Sequence, residues 1–178
     1  MDDITNAQTF GKREIVASLD REFARLYMNS GAIIENTSPD ILYIVPTQTA
    51  AGSAKVVPGA ILSAGESLLR SAAAIEQTFG GITANLWDDP FEWTLPEYLS
   101  TPAKVKDYLV EVEATRKRAF LSFVDDACLL QHVAVPSGET RPLIQLLLTT
   151  LLRAVDYQAQ ALVAHRILSG ISPPGFII

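Results

Sequence analysis

Residues 140–174 read TRPLIQLLLTTLLRAVDYQAQALVAHRILSGISPP. Leu143, Leu147, Leu151, Ala154, Ala161 and Leu168 recur along one side at helical spacing. Gly170 stands where a left-handed C-cap belongs, and Pro173-Pro174 cannot continue a helix. The pattern predicts a helix over 141–169 that begins at Thr140 or Arg141, with Pro142 in its first turn. Its most apolar part, PLIQLLLTTLL (142–152), is far short of the roughly 20 residues that span a bilayer, and Arg153 follows at once. A helix of this length with one apolar stripe needs other helices to bury that stripe.

Those partners can be found upstream. Residues 12–35 carry Ile15, Leu19, Phe23 and Leu26 at helical spacing with charges between them. Residues 59–79 carry Ile61, Leu62, Leu68, Leu69, Ala72, Ile75 and Phe79, and Gly80-Gly81 are expected to stop that helix. In LSTPAKV, Thr101 is a natural N-cap and Pro102 a natural first helical residue. The helix they open runs over 101–124, with Val105, Leu109, Val112 and Phe120 or Phe123 inward, and Glu113 and Lys117 paired on its outer face. The connection at 36–58 is long for a compact domain, and ILYIV (41–45) within it reads as a strap on the core. No repeat, low-complexity tract or strand alternation is visible. The expected architecture is all-α: one domain over 1–178, a four-helix bundle with long connecting loops.

Composition narrows the function classes. A chain of 178 residues buries roughly 70% of its unfolded surface and folds without a metal or disulfide to staple it. The net charge of −6 argues against nucleic acid, which needs a basic footprint. No basic amphipathic membrane face is present. Cys128 is the only cysteine, which excludes an internal disulfide and suits a reducing compartment. The opening MDDITNAQTFGKRE lacks the apolar core of a signal peptide. A soluble, cytoplasmic protein with no nucleic-acid or membrane partner is expected.

The C-terminal stretch VPSGETRPLIQLLLTTLLRAVDYQAQALVAHRILSGISPP resembles the last helix of the DinB/YfiT-like superfamily, and PGAILSAGESLL resembles the second. In that family a polar turn with Gly leads into a long helix carrying two His one turn apart and then a Gly-Gln step. A Gly and a Pro pair close it. The order of the helices fits over residues 12–174. The resemblance implies a four-helix bundle, often a homodimer, with a divalent metal held by three His in a cleft. Members include thiol-dependent transferases and metal-dependent hydrolases.

The pattern breaks where that chemistry would live. Aligned on Gln160, the two helix-four ligands fall at Arg153 and Tyr157, and the helix-two ligand falls at Ser63 or Ala64. None is His, and the chain has only two His, His132 and His165, so three-His ligation within one chain is impossible. Arg is permanently charged and a poor ligand. The expectation is a degenerate site with no metal and no cofactor.

Arg153 and Tyr157 share a side of the helix with Thr150 and Gln160, and Glu66 lies in the helix-two segment that supplies the third family ligand. These five residues form the candidate ligand-binding cleft, for a small molecule with an anionic or carbonyl group. Glu66 could pair with Arg153; buried, such a pair would replace the metal structurally. Against this stand a solvent-edge Arg153 snorkelling over apolar surface, a half-buried Tyr157 and a surface Glu66. His165 falls on the inward stripe and reads as a core histidine. Cys128 and His132 are four apart with Asp125 and Asp126 just before, which admits a Cys nucleophile with a His base or a small metal site, but a buried structural Cys is the simpler reading. The segment around Gly65 is no hydrolase nucleophile elbow, since no strand precedes it. Trp87, Phe91 and Trp93 read as a plug on one bundle end, a pocket wall or a dimer contact. Three functions compete: a non-metal small-molecule-binding or inactive protein, a working transferase or hydrolase of the DinB lineage, and a dimeric helical interaction module.

Overall fold

The computed structural model describes residues 12–46, 62–90 and 94–177. Four long helices dominate: α1 (Glu14–Glu35), α2 (Ala64–Ala84), α3 (Pro102–Ser122) and α4 (Leu143–Ser169). Each of α1 and α2 packs on both α3 and α4, so the helices form a ring in the order α1, α3, α2, α4. The tightest seam joins α2 and α4. At the centre Phe23, Phe79 and Phe120 meet with ring centroids 5.2–5.8 Å apart, and Phe123 adds an edge-on contact at 5.3 Å. One such cluster joins α1, α2 and α3 through side chains that are almost wholly removed from water. Among the described residues no helix is long and apolar enough to cross a membrane.

The elements differ from expectation at four places, each for a local reason. A β-hairpin precedes α4: β1 (His132–Ala134) pairs antiparallel with β2 (Thr140–Pro142). Three-residue strands are too short to show alternation. They also take Thr140 and Arg141 away from α4, because the residue before a proline resists the helical region and Pro142 itself stays extended at ψ 139°. Secondly, α2 is displaced toward its C-terminus. Ser63 is its N-cap, accepting from the Glu66 amide at 3.2 Å, and the helix passes through Gly80-Gly81 to a left-handed Asn85 at φ 55°. Residues 59–61 lie outside the described residues. Gly81 is tolerated inside the helix because the Trp87 indole lies flat on it, and a Cβ there would fall 2.3–2.5 Å from the ring atoms.

The third difference is in α1, where Ile15 faces solvent and Val16 takes the core position. The fourth concerns Glu113, which is not on an outer face. Residues 105, 109, 112, 113, 116 and 120 share the inward side of α3, so Glu113 and Arg116 are both buried and pair in two places, at 2.7 and 2.8 Å. Lys117 reaches the same carboxylate from outside at 3.4 Å.

The strap is present in part. Leu42 is fully buried and its carbonyl accepts from the Gly65 amide at 2.8 Å, while the Tyr43 hydroxyl donates to Leu99 O at 2.5 Å. A Cβ on Gly65 would meet the Tyr43 ring at 2.6 Å. The rest of the long connection, and Phe91 and Trp93 of the aromatic segment, lie outside the described residues.

The ends of α1 and α3 are clasped together. α1 has no side-chain cap of its own; the Asp126 carboxylate accepts from the Ile15 and Val16 amides at 3.2 and 2.9 Å. In return Arg13 donates to the last carbonyls of α3, Phe123 O at 2.9 Å and Phe120 O at 2.6 Å. Asp125 caps the short 3-10 turn Asp126–Leu130 that follows.

Candidate functional site

The α2–α4 seam is antiparallel and unusually polar. Thr78 and Thr150 share a buried hydroxyl–hydroxyl bond of 2.7 Å, and one step along the Ser71 hydroxyl donates to Ala154 O at 2.9 Å. Small residues on α2 (Ser67, Ser71, Ala72, Ala74) let the helices approach closely, and the Ser71 and Thr78 hydroxyls find their partners across the seam. Further along α4, Gln158 is buried and its amide donates to Leu26 O at 2.7 Å and to Ser30 Oγ at 2.8 Å. Asn29 completes this cluster and holds the C-terminal segment through both bonds of its amide to the Ile177 backbone.

His165 lies two turns beyond Gln158, fully removed from solvent. Thr37 spends its one hydroxyl proton on Ile33 O, at 2.8 Å, so it must accept from His165 Nδ1–H at 3.0 Å. Nε2 then carries the lone pair, and among the described residues neither it nor the buried Ser67 hydroxyl has a partner. Burial, helped by the charge of Arg166, lowers the pKa of this imidazole and keeps it neutral.

The inward polar row of α4 is therefore Thr150, Gln158 and His165. Thr150 is buried in it; Arg153 is exposed, Tyr157 is half-buried, and Gln160 turns outward to Asp156 at 3.1 Å. Gln158 sits four residues after Ala154 and three before Ala161, on the apolar stripe itself, a spacing visible in the sequence. Glu66 does not pair with Arg153. It holds Arg70, one turn along α2, at 2.9 Å. Partial burial works against the charge of Arg70, but hydrogen bonds to Glu66 and to Tyr157 outweigh it and raise its pKa. The group that meets Tyr157 across the seam is thus a guanidinium with its own carboxylate.

Ser63 and Ala64 cap and open α2, seven or more residues before Ser71, the residue level with Ala154. At 1.5 Å per residue that is about 10 Å along the seam from Arg153. A divalent cation does not fit this donor set: Ala64 offers none, Arg153 is cationic, and Tyr157 faces Arg70. Among the described residues no three His, Cys, Asp or Glu side chains gather in a way that could hold a metal ion.

The Cys–His alternative has no geometric support. Cys128 is buried and burial lifts its thiol pKa, the opposite of what a nucleophile needs, while His132 is exposed on β1. Asp125 and Asp126 are helix caps.

What remains is a cleft of about 250 Å³ between α2, α4 and the hairpin, into which Gln77, Trp87, Arg141, Gln145, Thr150 and Arg153 all face. The Thr78–Thr150 bond forms its floor. Two larger grooves, of about 760 and 460 Å³, run along the α2–α3 side and share Glu76, which the Tyr108 hydroxyl engages at 2.5 Å. Their walls carry charges of both signs, including Arg118 with Asp88 and Lys104 with Asp107.

No family model, curated protein or solved structure matches this chain.

Proposed function

We propose that this chain is a non-metal, small-molecule-binding protein built on a DinB-like four-helix bundle with a degenerate metal site. The observation that carries the reading is the α2–α4 cleft, which sets Arg153 and Thr150 against an otherwise largely apolar lining (Trp87, Val135, Pro136, Leu146), with the Glu66–Arg70–Tyr157 group on the seam beside it. This partly exposed ion pair, with the Tyr157 hydroxyl beside it, satisfies polar groups at the edge of the seam. No nucleophile with a positioned base lines the cleft among the described residues, so binding without turnover suits it better than transfer or hydrolysis. The test has two arms. Elemental analysis of protein purified without a histidine tag should find no stoichiometric divalent ion; about one zinc or nickel per chain would favour a working metalloenzyme instead. A thermal-shift screen of small polar molecules should give stabilising hits that Arg153→Met abolishes; an empty screen would overturn the binding reading.

A second reading, a homodimeric interaction module, draws on the outer face of α4. Leu148, Leu152, Val155 and Val163 are exposed there at spacings of four, three and eight residues, with Ile167 beyond them. Arg153 and Asp156 flank the stripe, and an antiparallel copy would bring each against the other's opposite charge. Sedimentation should then give a dimer that Leu152→Glu converts to a monomer; a monomeric wild-type chain would exclude it.

A further inference from the structure

We infer that the ligand of the α2–α4 cleft is a small planar aromatic carboxylate, stacked on Trp87 with its anionic group at Arg153; the inference rests on the binding reading above. The first observation is how firmly the indole is fixed. One face lies on the bare backbone of Gly81, where a Cβ would come within 2.3–2.5 Å of the ring. Its ring nitrogen donates to Asn85 Oδ1 at 3.2 Å, and its carbonyl accepts from Gln77 Nε2 at 3.0 Å. Trp87 is only half-buried, and the surface left over lines the cleft. A rigid, half-covered indole presents a flat apolar platform at little entropic cost, which selects a flat partner.

The second observation is charge. The chain carries −6 overall, yet among the described residues the cleft is lined by two arginines and by no carboxylate. Arg141 stands on the hairpin side and shares its guanidinium with Glu139 at 3.0 Å. Arg153 stands on α4 and has no ion pair among the described residues. α4 begins beside the cleft with no acidic residue in its first turn, although the Leu143 amide already donates to Gln131 O at 2.8 Å, so its dipole adds only modestly. All three sources favour an anion, and a guanidinium matches the planar fork of a carboxylate. Gln145 and Gln77 supply neutral polar edges between them. The cleft, at about 250 Å³, lies below the roughly 300–1,000 Å³ typical of sites for drug-sized ligands, so the part of an occupant that it covers is about one or two rings in size.

Isothermal titration with 2-naphthoate and with its neutral counterpart 2-naphthylmethanol tests this. We expect naphthoate to bind about tenfold or more tightly than the alcohol, the scale of one charge-assisted contact. Arg153→Met should remove most of the difference between naphthoate and the alcohol, with the remainder due to Arg141, and leave the alcohol unchanged. Trp87→Leu, checked for retained helicity, should weaken both, and inorganic phosphate should compete only weakly because it cannot stack. Equal binding of acid and alcohol would overturn the anionic assignment and leave a ligand-binding cleft standing. Naphthoate binding that survives both Arg153→Met and Trp87→Leu would put the ligand elsewhere and overturn the inference. Binding of neither compound would overturn it as well, and the broader reading would then be decided by the thermal-shift screen alone.

Discussion

Replacing Arg116 with Met should cost this protein a large part of its stability. Arg116 is 2% exposed and Glu113 7%. The guanidinium donates twice to Glu113, at 2.7 and 2.8 Å, bonds the Asp20 carboxylate and its carbonyl, and lies 5.4 Å over the Phe120 ring. Burial opposes its charge, but the bonds to Glu113 and Asp20 prevail and raise its pKa. In Arg116→Met the Asp20 carboxylate, half-exposed already, returns to water. Glu113 cannot; it keeps only Lys117 at 3.4 Å. Removing one half of such a pair costs about 3–5 kcal/mol. At this chain length that is on the order of 10 °C in Tm. The double variant Glu113→Leu with Arg116→Met removes both charges and should recover most of the loss, with a coupling of about 2 kcal/mol or more. Urea unfolding at pH 7, followed by helical circular dichroism, measures all four species of the cycle. A loss under about 1 kcal/mol for the single variant, or additivity in the cycle, would refute the claim that this pair is desolvated.

Four further outcomes follow from the same geometry. Glu66→Ala should cost under about 1 kcal/mol, because Glu66 and Arg70 are both about a quarter to a third exposed; a loss of several kcal/mol by urea titration would place that pair in the core. Asp126→Ala removes the carboxylate that caps α1 and should cost about 1–2 kcal/mol, read from the same titration. His165 has a folded pKa below its ordinary 6.5, so only the unfolded chain takes up its proton as pH falls through 6.5 toward the folded value. Stability contributed by the neutral imidazole is complete above that window and lost below it, and His165→Gln should flatten the decline between pH 7 and pH 5; an unchanged slope would contradict the assignment. Gly81→Ala should lift the indole of Trp87 from α2 and red-shift tryptophan emission, with no change expected if the ring is not seated on the glycine.

The helices were legible because burial imposes periodicity. Leu143, Leu147, Ala154 and Ala161 mark the inward face of α4, and Thr101-Pro102 mark the first residues of α3. The hairpin before α4 was not, since three-residue strands leave no alternation, although the Gly138 turn at φ 81° that joins them lies in a recognisable Pro-Ser-Gly-Glu run. Of the five residues expected to form the candidate site, the cleft contains Thr150 and Arg153, while Glu66, Tyr157 and Gln160 lie outside its lining. Spacing says which residues share a side of one helix; it does not say how far that helix is rotated or how two helices are registered. Arg70 illustrates this. It lies one turn from Glu66, a spacing open to inspection, but its approach to Tyr157 depends on the register fixed by Ser71 with Ala154 and Thr78 with Thr150. Glu113 and Arg116 illustrate the converse: charged residues are read as surface by default, and only the rotation of α3 turns them inward.

The clasp between α1 and α3 bears on the order in which the chain acquires its structure. The first amides of α1 are held by a carboxylate 111 residues away, and the last carbonyls of α3 by an arginine 107 and 110 residues away. Neither helix end can be completed by its own neighbourhood, so both wait for the closure of a loop that contains most of the chain between them. The α2–α4 seam is subject to no such delay at its ends, since Ser63 and Asn85 terminate α2 locally. The clasp should therefore consolidate late in folding and open early in unfolding, as one cooperative unit. In native-state hydrogen exchange the amides of Ile15, Val16 and Asp126, the last of which donates to Lys12 O at 2.9 Å, should share one opening free energy below that of the Phe23–Phe79–Phe120 centre.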